Sequence, residues 1–343
     1  MMRLFRLGLW FCVGVLPLRA EFPEKPVVVI VPFAAGGGSD VFVRIIQKAI
    51  REGELSPKPF IVRNVGGAGG TMGSRQARDA TPDGYTIMCL HDGIYTAQHY
   101  GNADWGPEDF EPIAATGRAG VVIAVAESSP HETLSALMDV VAAGPYEVVF
   151  GTNLGAPSHY SALFLQHGRE GARFRFTQSG GGAKRLGQLK GGHIDVTSFS
   201  VSEYVQFREA GIRALAVLSE ERVSALPELP TAREQGVEAI HSLMQFWWAP
   251  KGTPPDRVHY FADLLRRAME TDETQARLAQ LHIEPVFHTG TELVAAIDER
   301  RAHLEGIAIE KPPPLPPLHW IVLGMVVCCS AWVWRENSAE GKP

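Results

Sequence analysis

Residues 25–40 read KPVVVIVPFAAGGGSD, and their order decides the fold class. Pro26 is followed by Val27, Val28, Val29, Ile30 and Val31, an unbroken β-branched run of the kind buried on both faces in a parallel sheet. Gly36-Gly37-Gly38 ends the run. Beyond it the apolar residues fall at Val41, Ile45, Ile46, Ala49 and Ile50, a helical stripe that Ser39 or Asp40 can cap. Strand, glycine turn and helix in that order open a βαβ unit.

The same alternation continues down the chain. Strands are predicted at 60–63, 85–90, 121–126, 147–151, 173–177, 194–198 and 213–218. Helices are predicted from Thr71 and at 134–143, 158–167, 183–189 and 203–209, then at 256–270, 273–281 and 291–307. Strands alternating with helices imply α/β architecture with parallel sheets and right-handed crossovers. Gly180-Gly181-Gly182 echoes the first turn in the second third of the chain. The echo suits two similarly built lobes facing each other, or a chance recurrence of a glycine-rich turn.

The chain has 343 residues, enough for two cores, and a formal net charge of −6, which gives no basic footprint for nucleic acid. Its two ends read differently from the body. Residues 1–20 carry Arg3 and Arg6, an apolar stretch and then Ala20, the layout of a secretory signal peptide; an uncleaved anchor is the alternative. Residues 311–317 form a proline-rich linker. Residues 318–334, LHWIVLGMVVCCSAWVW, are long enough to anchor the chain in a membrane, ahead of a tail at 335–343. The alternative for that segment is an apolar tail folded back on the body. Of four cysteines only Cys89 falls in the globular part, so no disulfide is expected there.

The turn at residues 32–40 brings unpaired N–H groups and a helix dipole to one spot, which favours a carboxylate or phosphate; a tight turn without a ligand is the plainer reading. Val41 breaks the G-x-G-x-x-G spacing and no Gly-Lys-Ser/Thr follows, so neither a dinucleotide fingerprint nor a P-loop is present. Residues 64–71 and 151–159 add two further glycine turns before helices. In an open sheet such loops line the ligand crevice. Adjacent Ser158 and His159 do not make a nucleophile–base pair, with or without Asp92, and there is no G-x-S-x-G elbow; no enzyme is expected. Glu299 and His303 stand four apart with no third ligand, so neither a metal nor a cofactor is expected. Asp195 and Glu203 read as a strand-end and a helix-start residue.

The order of motifs resembles the Bug/TctC family, the extracytoplasmic substrate-binding proteins of tripartite tricarboxylate transporters. The resemblance rests on residues 25–40, RNVGGAGGTMGS (63–74), ATPDGYTI (80–87), GTNLGAPSHYSA (151–162), LKGGHID (189–195), IRALAV (212–217), LPELPTAREQGV (226–237) and FWWAPKGTP (246–254). It implies a two-lobe periplasmic-binding-protein fold, type II-like, with a hinge of crossing strands near 121–125 and 246–249. Lobe one would comprise 21–124 and 247–310, lobe two 125–246, with the hydrophobic C-terminal helix appended.

A small carboxylated solute would be held between the lobes and passed to membrane permease subunits. The protein would work in the periplasm, tethered to the inner membrane by residues 318–334. A membrane-tethered solute sensor is the other reading. The resemblance places Phe33, Ala35, Gly36, Gly37, Ser39 and Asp40 at the ligand from the first loop, and Gly155, Ser158 and His159 from the second lobe. The chain departs from the family pattern at Ser179-Gly180-Gly181, at Phe199-Ser200 and at His91-Asp92. Ser179, Ser200 and Asp92 are therefore site candidates too, with Asp92 read either as an acid facing the cleft or as part of a solvated loop.

Overall fold

A computed structural model describes residues 22–309. In chain order the first part holds β1 (Val27–Val31), α1 (Gly38–Glu52), β2 (Phe60–Asn64), α2 (Thr71–Arg78), β3 (Thr86–Leu90), α3 (Gly93–Tyr100) and the long β4 (Phe110–Ala126). There follow α4 (Leu134–Ala143), β5 (Val149–Thr152), α5 (Pro157–His167), β6 (Arg175–Gln178), α6 (Gly182–Lys190), β7 (Val196–Ser200), α7 (Val201–Phe207) and β8 (Ile212–Val217). The chain returns through β9 (Ser242–Pro250), α8 (Pro255–Met269), α9 (Asp272–Gln280), β10 (Glu284–His288) and α10 (Gly290–Glu305).

Two α/β lobes share β4. Its first half pairs antiparallel with β9 and β10, and β9 in turn joins β3, β1 and β2. Its second half pairs antiparallel with β7 and β8, and β7 joins β5 and β6. The change of partner falls between Gly120, opposite Ser242, and Val121, opposite Ser200. The expectation of parallel sheets holds for β1–β3 and β5–β7 only. The sheets are mixed because the strands that pass between lobes must run back against them.

Each lobe buries its own apolar set. In the first, Phe42 and Ile46 of α1 pack with Val29 of β1, Trp247 of β9 and Phe261 and Leu265 of α8. In the second, Val122, Leu189, Ile194, Phe199 and Val217 cluster together. Cys89 is a buried free thiol in β3, its pKa pushed up by burial. Among the described residues no helix is long and apolar enough to cross a membrane. The signal-peptide segment 1–20, the linker 311–317, the anchor segment 318–334 and the tail lie outside the described residues.

Candidate functional site

The register makes the strand ends of both lobes point at one junction. Leu90 at the end of β3 pairs with Phe246, so the chain leaving it runs toward Ser242, the partner of Gly120. β1 and β2 run parallel to β3 and end on the same edge. From the other side β7 ends at Ser200 opposite Val121, with β5 and β6 parallel to it. The loops and helices that follow these strands therefore face one another, and they touch. Asn102 Nδ2 donates to the Leu154 carbonyl at 2.8 Å, and His99 Nδ1 lies 2.8 Å from the Tyr160 hydroxyl. A Cβ at Gly38 would sit 3.9 Å from Ser200 Oγ, and one at Gly69 3.5 Å from the Leu154 oxygen. Between Gly36, Gly38 and Val41 on one side and Ser202, Glu203 and Gln206 on the other is a crevice of about 10 Å³, the scale of one water molecule.

Three helices begin at this junction with the same backbone turn. Gly36 has φ +82°, Gly37 then has φ −77° and ψ 166°, and α1 starts. Gly180 (φ +85°) and Gly181 (φ −70°, ψ 172°) lead into α6 in the same way, and Gly155 (φ +76°) and Ala156 (φ −98°, ψ 167°) into α5. The echoed glycines are thus one structural device used in both lobes. A positive φ turns the chain sharply, which a residue without Cβ does at no steric cost. The N-cap residue of none of these three helices makes a side-chain cap bond, though Asp40 sits in the first turn of α1 and Glu203 lies against Gly182 at the start of α6. Their N-terminal dipoles are left to face the junction, an arrangement suited to an anion.

Side chains predicted at the site mostly hold these turns. Asp40 is not the cap of α1, which Gly37 provides; its Oδ2 accepts the Gly36 N–H at 2.8 Å from inside the first turn. It also accepts Arg44 Nε at 2.9 Å and Asn64 Nδ2 at 2.9 Å. Burial opposes the Asp40 charge, but the bonds from Arg44, Gly36 and Asn64 outweigh it and lower the pKa. His159 repeats the pattern four residues after Gly155, its Nδ1 accepting that N–H at 3.3 Å. Burial lowers the His159 pKa to about 4, so the ring is a neutral acceptor at neutral pH. Gly180 N–H donates instead to Asn153 Oδ1 at 2.9 Å.

The other predicted residues are also fixed. Ser39 Oγ donates to Gln245 Oε1 at 3.0 Å, tying α1 to β9. Ser158 Oγ lies 2.9 Å from Thr152 Oγ1 and accepts the Asn153 N–H, while Ser179 Oγ donates to the Thr177 carbonyl. Ser158 and His159 thus take different partners, as their adjacency demands. Ser200 caps α7 in a reciprocal box with Glu203, and Asp195 Oδ2 accepts the Val149 N–H. Phe33 is half-buried with its ring 5.0 Å from that of His91, and Ala35 is exposed on the crest of the first loop.

Asp92 is buried, which overturns its reading as part of a solvated loop. It is 1% exposed, accepts the Met244 N–H at 3.0 Å and lies 3.7 Å from Arg300 Nε. Burial raises its pKa against the pull of Arg300 and that N–H. Among the described residues no group of three or more His, Cys, Asp or Glu is placed to hold a metal; His303 instead approaches the Ile240 carbonyl.

Two residues at the junction are not among the sequence candidates: Arg185, which no motif marked, and His91, marked only as part of the departing pair His91-Asp92. Arg185 in α6 is 7% exposed, with Nη1 donating to the Gly180 carbonyl at 2.8 Å and Nη2 to the Ser198 carbonyl at 3.1 Å. His91, from the other lobe, has its pKa lowered to about 4, first by burial and then by the positive charge of Arg185. A signal for Arg185 was present: a cation near the start of a helix, where the dipole opposes it, needs another reason to be there.

Two lobes, a shared strand and facing helix N-termini define a solute-binding receptor of the periplasmic-binding-protein class. The model of the tripartite tricarboxylate transporter family receptor matches residues 42–311, and the chain belongs to that family. It is therefore a receptor and not an enzyme, and a periplasmic location fits the family. Protein BugT of Bordetella pertussis is 29% identical over 283 residues, covering 80% of this chain and 85% of BugT. The solved periplasmic binding protein BugD is 29% identical with a TM-score of 0.76, covering 83% of this chain and 97% of BugD. MatC of Rhodopseudomonas palustris, solved with bound malate, is 25% identical with a TM-score of 0.76, covering 83% of this chain and 99% of MatC.

Proposed function

We propose that this receptor captures a small carboxylated solute between its lobes and hands it to the membrane permease subunits of a tripartite transporter. The observation that carries this reading is the matched set of uncapped helix starts, α1 from one lobe and α5 and α6 from the other, at one junction. Backbone N–H groups there can meet a carboxylate, although Asp40 in the first turn of α1 and Glu203 beside Gly182 stand close to two of the starts. The malate bound in MatC supports the class of solute. Residues 33, 35–37 and 155 are the proposed contact positions, with Ser39, Asp40, Ser158, His159, Ser179 and Ser200 holding the loops that carry them.

The proposed hinge is the partner change at Gly120 and Val121 in β4 together with the start of β9 at Ser242. This divides the described chain into 22–120 with 242–309, and 121–241, a few residues before the division expected from sequence. A solute touching both lobes stabilises the closed arrangement by its differential affinity. A tether through residues 318–334 would keep the receptor near its permease; fractionation that leaves the full chain in the soluble periplasm contradicts it.

Calorimetry with succinate, malate, glutarate and citrate tests the reading. Saturable binding of one solute per chain is expected for at least one acid. Absence of binding to all four, or chemical turnover of a bound acid, overturns it.

A further inference from the structure

Arg185 is a buried cation with no ion-pair partner among the described residues. Among the described residues no carboxylate lies within ion-pair distance of it, and its two hydrogen bonds go to neutral carbonyls of Gly180 and Ser198. Its Nε is buried with no partner. Glu203, whose charge acts on Arg185 from beyond ion-pair distance, gives Oε2 to the Ser200 N–H and hydroxyl, each at 3.1 Å, and has Oε1 beside Gly182. The guanidinium lies 5.7 Å from the Phe199 ring centroid, against an apolar wall that strengthens electrostatics. A buried charge left this way is costly unless a partner of opposite sign reaches it.

Its position shows where that partner comes from. The two carbonyls it holds belong to the turn before α6 and the end of β7, both on the lobe-two edge that faces the junction. Opposite stands His91 from the loop after β3, itself with a buried Nδ1 lacking a partner. Two unpaired polar atoms, one per lobe, therefore lie at the same junction as the uncapped helix starts.

We infer that Arg185 supplies the charge that holds one carboxylate of the solute, with His91 completing that subsite from the other lobe. This rests on the receptor reading above and adds to it the residue that sets selectivity. A guanidinium held at both Nη atoms presents a fixed N–H donor, so it separates an ionised carboxylate from a neutral amide of the same shape.

The test is calorimetry of succinate, malate and glutarate, each beside its monoamide, on the wild-type chain and on Arg185→Met, Arg185→Gln and Arg185→Lys. The wild type should prefer an acid to its monoamide by roughly tenfold or more, and Arg185→Met and Arg185→Gln should shrink that preference to about twofold. Arg185→Lys keeps the charge and should fall between, which preserves the test if the neutral variants do not fold. An unchanged acid-to-amide ratio in the variants, with both affinities reduced alike, makes Arg185 a brace for its loop and overturns the assignment. A wild type that binds acids and amides equally also overturns it, leaving the receptor reading intact. A wild type that binds none of these acids, nor citrate, overturns both.

Discussion

The glycines of the first turn do different work although they are adjacent. Gly37 has an ordinary extended φ, and a Cβ there would meet only the Ala34 oxygen at 3.4 Å. Gly37→Ala should leave unfolding within about 0.5 kcal/mol of wild type while weakening binding of the acid by calorimetry, because the methyl stands on the loop crest. Gly36 has open space around its Cβ but φ +82°, so Gly36→Ala should cost about 1 kcal/mol in thermal unfolding through backbone strain alone. An equal effect of the two on stability would contradict this division. Asp40 shows what sequence could not supply. Its place in the motif was legible, but its role was not, because the N–H it accepts and the Arg44 and Asn64 it joins become neighbours only once the turn and β2 are formed.

At the scale of elements, the strands and helices with a clear period were legible and those of mixed composition were not. β1 and α1 stand close to where the β-branched run and the helical stripe put them. The first half of β4 was missed, since Glu111, Thr116, Gly117, Arg118 and Gly120 interrupt any apolar pattern. They are tolerated because β9 and β10 flank them with hydrogen bonds whatever their side chains. β10, between two helices, and the short α3 were missed for similar reasons. Gly117 has a packing role that no period reveals: a Cβ there would lie 2.6 Å from the ring of the fully buried Phe42. Gly117→Ala should therefore lower stability by about 1–3 kcal/mol in denaturant unfolding, as overpacking of a filled core does. A neutral result would mean that the Phe42 ring has room to move.

For the whole molecule, three histidines with buried ring nitrogens set a common pH response. Burial, the first cause in each case, lowers the pKa of His91 to about 4, His159 to about 4 and His241 to about 3, from an ordinary value of 6.5. Between about pH 6.5 and 4 the unfolded chain binds protons that the folded chain refuses. Stability should thus be fully present above pH 6.5 and fall as the pH drops, by up to about 1.4 kcal/mol per pH unit for each histidine. Thermal unfolding across that range checks it, and a flat profile would contradict the burial of these rings. The two-lobe plan itself was legible through the order of motifs and the echo of Gly36-Gly37-Gly38 in Gly180-Gly181-Gly182. The mixed sheets and the inward-facing Asp92 were not, because both depend on β9 returning from the far end of the chain. The central claim is that one acid touches both lobes at once, and hydrogen–deuterium exchange with and without a binding carboxylate measures that directly. Bridging predicts slowed exchange in residues 33–40, 153–159 and 179–185 together. Protection confined to one lobe, or to the separate pocket of about 410 Å³ lined by Tyr204, Arg213 and Leu226, would contradict it.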